Sequence, residues 1–342
     1  MDARYELPNL LRTHADAEPW PWVSSGGSLS VAGLCSVYDV SDVDDRLAED
    51  SLSRNEALRS VYGKMKHLGE LRYVVKPGAL SALDALHKSC PNFRQVIHDI
   101  KKQLALAISG NQPVSFMPIL LLGEPGVGKT QFAKELAQVL GTTYELVSLS
   151  SLTAGWILSG SSSQWTNAKP GQVAQALVNG EFANPLFVLD EIDKAGGDTR
   201  YDPLGALYTL LEPATARRFR DEFIDIELDA SRILWIATAN DATAIPEPIL
   251  SRMNVYAIER PDAEGARAIA ANIYRDLLQR NHWKFEPEPR ADVISRLGEL
   301  PPRQMRKVII DAMGTAKLDG RDHVEVQDLV TGTQKTRQRI GF

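Results

Sequence analysis

The chain is poor in the features that mark secreted, disulfide-bonded and membrane proteins. It has only two cysteines, Cys35 and Cys90, which give neither a disulfide framework nor the spacing of a metal site. No apolar run approaches the ~20 residues that a membrane-spanning helix requires. Residues 1–20 carry acids throughout and lack the hydrophobic core of a signal peptide. We therefore expect a cytoplasmic protein with no membrane partner.

The chain also lacks an excess of positive charge and a recognisable pattern of catalytic nucleophiles. The formal net charge is −6, whereas tight non-specific binding to nucleic acid needs a basic surface, so DNA or RNA is not the expected partner. The six histidines are scattered and, with the two cysteines, form no Cys-His or Ser-His-Asp pattern. A chain of 342 residues is long enough for about two domains.

The strongest chemical signal is a glycine-rich segment between a predicted strand, residues 119–122, and a predicted helix. In this context the glycines let successive backbone N–H groups point at phosphate oxygens, and the helix N-terminus adds partial positive charge. Lys129 is expected to reach the β- and γ-phosphates of ATP, and the Thr130 hydroxyl to bind Mg²⁺. The predicted nucleotide-binding residues are Gly123, Glu124, Pro125, Gly126, Val127, Gly128, Lys129 and Thr130.

Two further apolar segments end in polar side chains. Residues 186–189 precede Asp190 and Glu191, and residues 233–239 precede Asn240. An open α/β sheet binds its ligands at the carboxyl ends of its strands. Asp190 is therefore expected to hold Mg²⁺ through water, and Glu191 to polarise the water that attacks the γ-phosphate. Asn240 is either a turn former or a residue that orients this water or contacts the γ-phosphate.

The order and spacing of these motifs resemble AAA+ ATPases, and within them the ATPase module of Lon proteases. The resemblance runs from about residue 92 to the C-terminus and rests on GEPGVGKT, FVLDEIDK, DPLGALYTLLEP, ATAN, IPEPILSRM and LPPRQMRKVI. It implies an α/β fold, an AAA+ P-loop domain with a five-stranded parallel sheet, followed by a small helical lid domain. It also implies ATP and Mg²⁺ as cofactors and a homo-oligomeric ring, hexameric by analogy.

The resemblance also assigns roles to individual residues. Asn240 corresponds to sensor 1, and Arg252 to the arginine finger that reaches the γ-phosphate of the neighbouring subunit. Arg303 corresponds to the sensor-2 arginine, with Arg306, one helical turn away, as the alternative. A finger supplied by a neighbour leaves each site incomplete in an isolated subunit, so hydrolysis should require a ring. The implied catalytic set is Glu191, Asn240, Arg252 and Arg303.

A tryptophan stands on a polar segment, WTNAKPGQVAQAL, that resembles the pore loop of Lon-like modules. Trp165 and Thr166 match the aromatic-aliphatic pair that would grip an extended polypeptide in a central channel. The alternative is that Trp165 folds back on its own domain. Thr166 replaces an aliphatic residue and Lys169 an apolar one, so the grip could be weaker or differently selective. Residues 196–203 resemble a second pore loop, with an ordinary surface loop as the alternative.

The chain is predicted to divide into an N-terminal region of unknown role, an α/β ATPase domain and a small helical domain with a basic tail, at residues 1–85, 86–260 and 261–342. A helix is predicted from Ser53, with Leu58, Val61, Met65 and Leu68 at helical spacing. Another is predicted from the apolar stripe of Phe93, Val96, Ile97, Ile100, Leu104 and Ile108. Residues 323–326 look like a strand. Lon proteases continue beyond this point into a peptidase domain with a Ser-Lys dyad, so no proteolytic chemistry is expected here.

These expectations favour a ring ATPase that unfolds, remodels or translocates protein substrates through a central pore. A second hypothesis is a nucleotide-state switch or assembly factor that binds a partner protein, for example through residues 1–85, without threading it. A nucleic-acid-associated ATPase is the third hypothesis, and the negative charge disfavours it.

Overall fold

The computed structural model describes residues 31–49, 55–151, 156–165, 167–195 and 204–329. Thr166, Ser53 and the predicted second pore loop at 196–203 lie outside these ranges. None of the helices within the described ranges is long and apolar enough to cross a membrane.

Strands and helices alternate through most of the chain. The strands are β1 (Val31–Ser36), β2 (Leu71–Val75), β3 (Ile119–Leu122), β4 (Tyr144–Ser148), β5 (Leu186–Asp190), β6 (Phe219–Arg220), β7 (Glu227–Leu228), β8 (Leu234–Ala239) and β9 (Asn254–Ala257). The α-helices are α1 (Val40–Ala48), α2 (Glu56–Leu68), α3 (Ala82–Ser89), α4 (Arg94–Ser109), α5 (Lys129–Leu140), α6 (Trp156–Ser159), α7 (Gln172–Asn179), α8 (Leu207–Leu210), α9 (Pro213–Ala216), α10 (Glu247–Leu250), α11 (Ala263–Asn281), α12 (Ala291–Leu297) and α13 (Pro302–Leu318).

The core is a parallel sheet of five strands in the order β4-β5-β8-β3-β9. This arrangement confirms the predicted α/β fold with a five-stranded parallel sheet. The four apolar residues of β5 are each 0% exposed, because packed layers cover both faces of the sheet. Within β3, Leu120 packs in one hydrophobic cluster and Ile119 and Leu121 in another, as expected when successive side chains point to opposite faces.

The strand order also positions the predicted site. Strands β5, β8 and β3 are neighbours in the sheet. They lead to Asp190, to Asn240 and to the glycine-rich loop at 123–128, which is called the phosphate loop below after its predicted role. Because the strands are parallel, these three chain ends meet at one edge of the sheet.

The apolar stripe before β3 forms helix α4, and its middle residues are buried against the sheet. The prediction for Ile108 is wrong, since this side chain is 46% exposed. It lies in the last turn of the helix, immediately before the C-cap residue Gly110.

Residues 31–49 and 55–75 contain an antiparallel pair of strands, β1 and β2, and the helices α1 and α2. Helix α2 begins at Glu56 rather than at Ser53, because the Asn55 side chain caps it by accepting a hydrogen bond from the Leu58 N–H at 3.0 Å. Buried side chains of α2 share a hydrophobic cluster with one face of the central sheet. The division of the chain at residue 85 stays a prediction.

The buried Arg72 of β2 joins this region to helix α7. Its guanidinium donates hydrogen bonds to the carbonyls of Leu177 and Val178 at 2.9 and 2.5 Å. These carbonyls belong to the last turn of α7, where no further helical turn can use them.

The helices after the sheet, α11, α12 and α13, pack around a hydrophobic cluster of their own, consistent with the predicted helical lid. The strand predicted at 323–326 is wrong. A short 3-10 turn, Val326–Asp328, stands there instead. The Asp328 carboxylate is only 3% exposed and binds the Arg321 guanidinium at 2.7 Å, which favours this turn over an extended segment.

Candidate functional site

The phosphate loop between β3 and α5 has a conformation that requires glycine at three positions. Gly126 and Gly128 have φ of 86° and 102°, values that other L-residues rarely adopt. At Gly123, a Cβ would lie 2.3 Å from the carbonyl oxygen of Ile258. The loop is therefore shaped by its own backbone and by a close approach of the segment after β9.

The Lys129 side chain is 8% exposed and joins this loop to the end of β8. Its ammonium donates hydrogen bonds to the carbonyls of Gly123 and Glu124, at 2.5 and 3.0 Å, and to Asn240 Oδ1 at 3.0 Å. Burial lowers the pKa of Lys129, while the nearby Asp193 and Asp190 oppose that shift. The predicted phosphate-binding lysine and the predicted sensor-1 asparagine are thus in direct contact.

The two predicted metal-binding residues are also in contact. Thr130 Oγ1 donates to Asp190 Oδ1 at 2.8 Å. Mg²⁺ prefers oxygen ligands, and in nucleotide sites it binds a few protein oxygens together with substrate phosphates. The hydroxyl of Thr130 and the carboxylate of Asp190 fit this ion. Thr238, which the sequence reading did not single out, also donates to Asp190 Oδ1, at 2.7 Å, and accepts from the Glu191 N–H at 3.0 Å. A threonine inside the otherwise apolar strand β8 is the signal that could have revealed it.

Glu191 stands at a sharp turn immediately after β5. Its φ is 56°, in the left-handed region that is uncommon for non-glycine residues. Its carboxylate forms an ion pair with Lys194, and this hydrogen bond, together with one from Ser150, lowers the pKa of Glu191. The side chain is 36% exposed, so an ionised carboxylate faces solvent at the edge of the sheet.

Asp193 is another residue near the site that the sequence motifs did not predict. Its Oδ2 accepts hydrogen bonds from the N–H groups of Asn240 and Asp241, at 3.0 and 3.2 Å, while its Oδ1 is buried without a partner among the described residues. Asp193 therefore orients the backbone at the end of β8 and adds negative charge near Lys129. Its position two residues after Glu191 is the sequence feature that indicates a place near the site.

A cleft of about 950 Å³ lies between the sheet edge and helices α3, α11 and α13, and it is lined by Gly126, Lys129, Thr130, Asp190, Glu191, Thr238 and Asn240. A Cβ at Gly126 would lie 3.6 Å from the Cβ of Arg303, so the start of α13 lies against the phosphate loop. Arg306 also lines the cleft, but its guanidinium is paired with Asp276 at 2.7 Å. The Arg303 side chain forms no ion pair or hydrogen bond with the residues that the structure describes.

Arg252 does not line this cleft. It follows α10 and donates a hydrogen bond to the Pro248 carbonyl, and its Nε is buried without a partner among the described residues. The structure thus brings together the phosphate loop, Asp190, Glu191, Asn240 and Arg303, and leaves Arg252 outside the group.

Trp165 lies on a separate surface, in the segment between α6 and α7. Its side chain is 54% exposed. The segment is closed by hydrogen bonds from the Ser161 N–H to the Lys169 carbonyl at 3.1 Å and from the Lys169 N–H to Ser161 Oγ at 3.1 Å. The indole therefore stands on a structured loop rather than in a hydrophobic core.

Comparison with known proteins agrees with this geometry. Residues 119–259 match the family described as ATPase family associated with various cellular activities (AAA). The chain is 37% identical over 177 residues to a Lon protease of Nitrosococcus oceani, covering 51% of this chain and 23% of that protein. It is 35% identical over 213 residues to a Lon protease of Porphyromonas gingivalis, covering 60% of this chain and 25% of that protein. The chain thus spans about a quarter of the length of these relatives.

Among solved structures, the fold is similar to a closed-state cryo-EM reconstruction of Hsp104 with ATPγS and FITC casein. The TM-score is 0.56 and the sequence identity 16%, over 70% of this chain and 48% of that one. At this identity the similarity concerns the fold alone.

Proposed function

We propose that the chain hydrolyses ATP in a homo-oligomeric ring, hexameric by analogy, and uses the cycle to unfold, remodel or translocate protein substrates. The match of residues 119–259 to the AAA ATPase family and the similarity to Lon proteases support this proposal. The observation that carries the proposal is the contact of Lys129 with Asn240 beside the Thr130–Asp190 pair. These contacts join a complete phosphate-binding loop to the ends of the two neighbouring strands.

ATP binding would use the groups that the loop already orients. Backbone N–H groups of the loop and the N-terminus of α5 would bind the phosphates. Lys129 would exchange its contacts with the loop carbonyls for contacts with the β- and γ-phosphates. Thr130 and Asp190 would hold Mg²⁺, which neutralises phosphate charge when bound.

Hydrolysis requires a base, an orienting group and a positive charge at the γ-phosphate. Glu191 would polarise the attacking water, and its low pKa keeps the carboxylate ionised. Asn240 would orient this water or contact the γ-phosphate. Arg252 stands outside the cleft of its own subunit, which supports a role at the neighbour's site; arginine fingers contribute about 10³ to 10⁵ in rate.

Two arginines of α13 compete for the sensor-2 role. Arg306 is already paired with Asp276 at 2.7 Å. Arg303 approaches the phosphate loop at Gly126 and is not held by another described side chain. We assign the role to Arg303, whose guanidinium is available to a bound phosphate.

The exposed Trp165 ring supports the translocation part of the proposal. A ring 54% exposed on a polar loop presents apolar area that can contact many polypeptide sequences. In a ring of subunits, such loops would line a central channel. A nucleotide-state switch that binds a partner without threading it would not need this side chain.

The test is capture of bound proteins from the native cell with the Glu191→Gln variant, which should bind ATP and hydrolyse it slowly. The double variant, Glu191→Gln with Trp165→Ala, is the matched comparison. Proteins that are lost only from the double variant would be threaded substrates. Identical sets of bound proteins would contradict threading and favour the switch.

A further inference from the structure

The loop that carries Trp165, residues 160–171, is narrow at its base. A Cβ at Gly171 would lie 2.2 Å from the Leu158 carbonyl oxygen and 2.4 Å from the Gly160 nitrogen. The two ends of the loop therefore touch through their backbones. Whatever holds this base sets the direction of the loop.

One buried carboxylate holds the base. Asp221 is 0% exposed, and its Oδ2 accepts a hydrogen bond from the Gly171 N–H at 2.7 Å. A Cβ at Gly160 would lie 2.6 Å from Asp221 Oδ1, so the carboxylate also packs against Gly160. The same Oδ1 accepts from the N–H groups of Phe223 and Ile224, at 2.9 and 3.1 Å. The base of the Trp165 loop is thus attached to the turn at 221–225.

Helices α1 and α2 hold the other side of this turn. The Tyr62 hydroxyl of α2 donates to the Ile224 carbonyl at 2.5 Å, in a buried position. Arg46 of α1 donates to the Asp225 carbonyl at 3.1 Å and to its carboxylate at 2.6 Å. Asp225 has a φ of 51°, a conformation that few non-glycine residues adopt without such contacts.

Asn55 connects α2 with the Trp165 loop directly. Its Oδ1 caps α2 by accepting from the Leu58 N–H at 3.0 Å. Its Nδ2 donates to the Ser163 carbonyl at 3.1 Å, two residues before Trp165. One side chain therefore begins the helix and restrains the loop.

We propose that α1 and α2 position the Trp165 loop, with Asn55, Tyr62 and Arg46 as the positioning residues. The proposal rests on the proposed function, since it gives the N-terminal helices a task in presenting Trp165 to a substrate. The three side chains reach the loop by two routes: Asn55 contacts the loop itself, and Tyr62 and Arg46 both act through the turn that holds Asp221. A force or a partner that displaces α2 will therefore move the Trp165 loop.

The test uses the Asn55→Asp variant of the full chain. Aspartate keeps an acceptor for the Leu58 N–H and caps helices as well as asparagine, but it has no donor for the Ser163 carbonyl. Hydrogen–deuterium exchange of the peptide covering 160–171 should become about fivefold faster, the factor that corresponds to one net hydrogen bond. Exchange within α2 and within strand β8 should stay as in the unsubstituted protein.

Two further variants keep the result specific. Tyr62→Phe removes only the hydroxyl that reaches Ile224, and it should also accelerate exchange in the loop. Lys66→Gln removes an exposed ion pair between α2 and α1, with Asp44 at 2.6 Å, and should leave the loop unchanged. Unchanged loop exchange in both Asn55→Asp and Tyr62→Phe, with α2 intact, overturns the proposal.

The loop exchange also separates this inference from the proposed function. If Asn55→Asp accelerates exchange in the loop, and capture with Glu191→Gln shows no dependence on Trp165, the helices position the loop but threading is wrong. If Trp165-dependent capture is found while loop exchange is unaffected by either variant, threading stands and the positioning role is wrong.

Discussion

The ammonium of Lys129 donates a hydrogen bond to the side-chain oxygen of Asn240 across 3.0 Å, although the two residues lie 111 positions apart in the chain. The bond joins the phosphate loop after β3 to the end of the neighbouring strand β8. A ligand that draws Lys129 toward its phosphates must therefore also change the surroundings of Asn240.

Asn240→Ala should lower kcat by about 10- to 100-fold, because the water or γ-phosphate would lose an oriented polar partner. Nucleotide affinity should change little, since Lys129 and the backbone N–H groups of the phosphate loop remain to bind the phosphates. Phosphate release gives kcat, and titration with a fluorescent nucleotide gives Kd. Thr243→Val, an exposed position three residues on, is the control; a turnover of Asn240→Ala equal to this control would refute the role of Asn240.

Lys194→Gln should shift the acid limb of the pH profile of kcat/KM to higher pH. The hydrogen bond from Lys194 is the largest cause of the lowered pKa of Glu191, so its loss moves that pKa back toward its ordinary value. Below the new pKa the carboxyl is protonated and cannot accept a proton from water.

The control for this prediction is Lys102→Gln, which breaks another ion pair of the same i,i+3 spacing, Lys102 with Asp99 at 2.9 Å. It should leave the profile unchanged. An acid limb that stays in place in Lys194→Gln would show that Glu191 does not control it.

Arg252→Ala and Lys129→Ala should each lose turnover, by a factor of about 10³ or more for the finger. When the two variants are mixed, a subunit with intact Lys129 beside one with intact Arg252 completes a site. ATP hydrolysis should therefore reappear and peak at intermediate ratios. Mixing either variant with the doubly substituted chain is the control for trivial dilution effects; no recovery at any ratio would place Arg252 within its own subunit.

Arg303→Ala should lower kcat/KM by about 10- to 100-fold, the effect of one lost charged hydrogen bond to a phosphate. Arg306→Ala should leave turnover within about twofold of the unsubstituted protein, because it removes a partly exposed ion pair that contributes little. Steady-state ATPase kinetics of the two variants make the comparison, and the opposite ranking would assign the sensor-2 role to Arg306.

Asp221 should make the protein less stable as pH rises from about 4 to 6. Burial raises the pKa of Asp221 from its ordinary 3.8 to about 6, and backbone N–H groups only partly offset this. The folded state then binds the proton more tightly than the unfolded state, so the group's contribution is fully present below 3.8 and is lost as pH rises through about 6.

The loss is at most about 3 kcal/mol for a shift of this size. The difference in unfolding free energy between the unsubstituted protein and Asp221→Asn, measured by denaturant titration at pH 4.5 and pH 7, isolates the group. As the pH rises, Asp221→Asn should become more stable relative to the unsubstituted protein. A pH-independent difference would contradict the raised pKa.

Much of the central domain was predictable because its signals are local. The continuous apolar runs of β3, β5 and β8 are typical of strands that are buried on both faces, and the glycines of the phosphate loop stand between such a strand and a helix. Since these strands are neighbours in the sheet, the residues that follow them meet without further information. Glu191, Asn240 and the loop were named on this basis.

Other features depend on contacts that leave no local pattern. Thr238 is visible in the sequence as a polar residue in an apolar strand, but its contacts with Asp190 and Glu191 follow only from the pairing of distant strands. Asn55, which caps α2, also donates from its Nδ2 to the Ser163 carbonyl, 108 positions away, and no local pattern indicates this contact.

The sequence by itself determined the glycine-rich loop and the buried strands beside it, because backbone conformation and strand burial follow from neighbouring residues. Only the tertiary structure decided which arginine of α13 is available and how α1 and α2 reach the Trp165 loop. Arg306 is paired with Asp276 of helix α11, whereas Arg303 has no such acid beside it among the described residues. A hydrogen bond between distant segments depends on where the packed core places both ends, and no stretch of sequence contains that information alone.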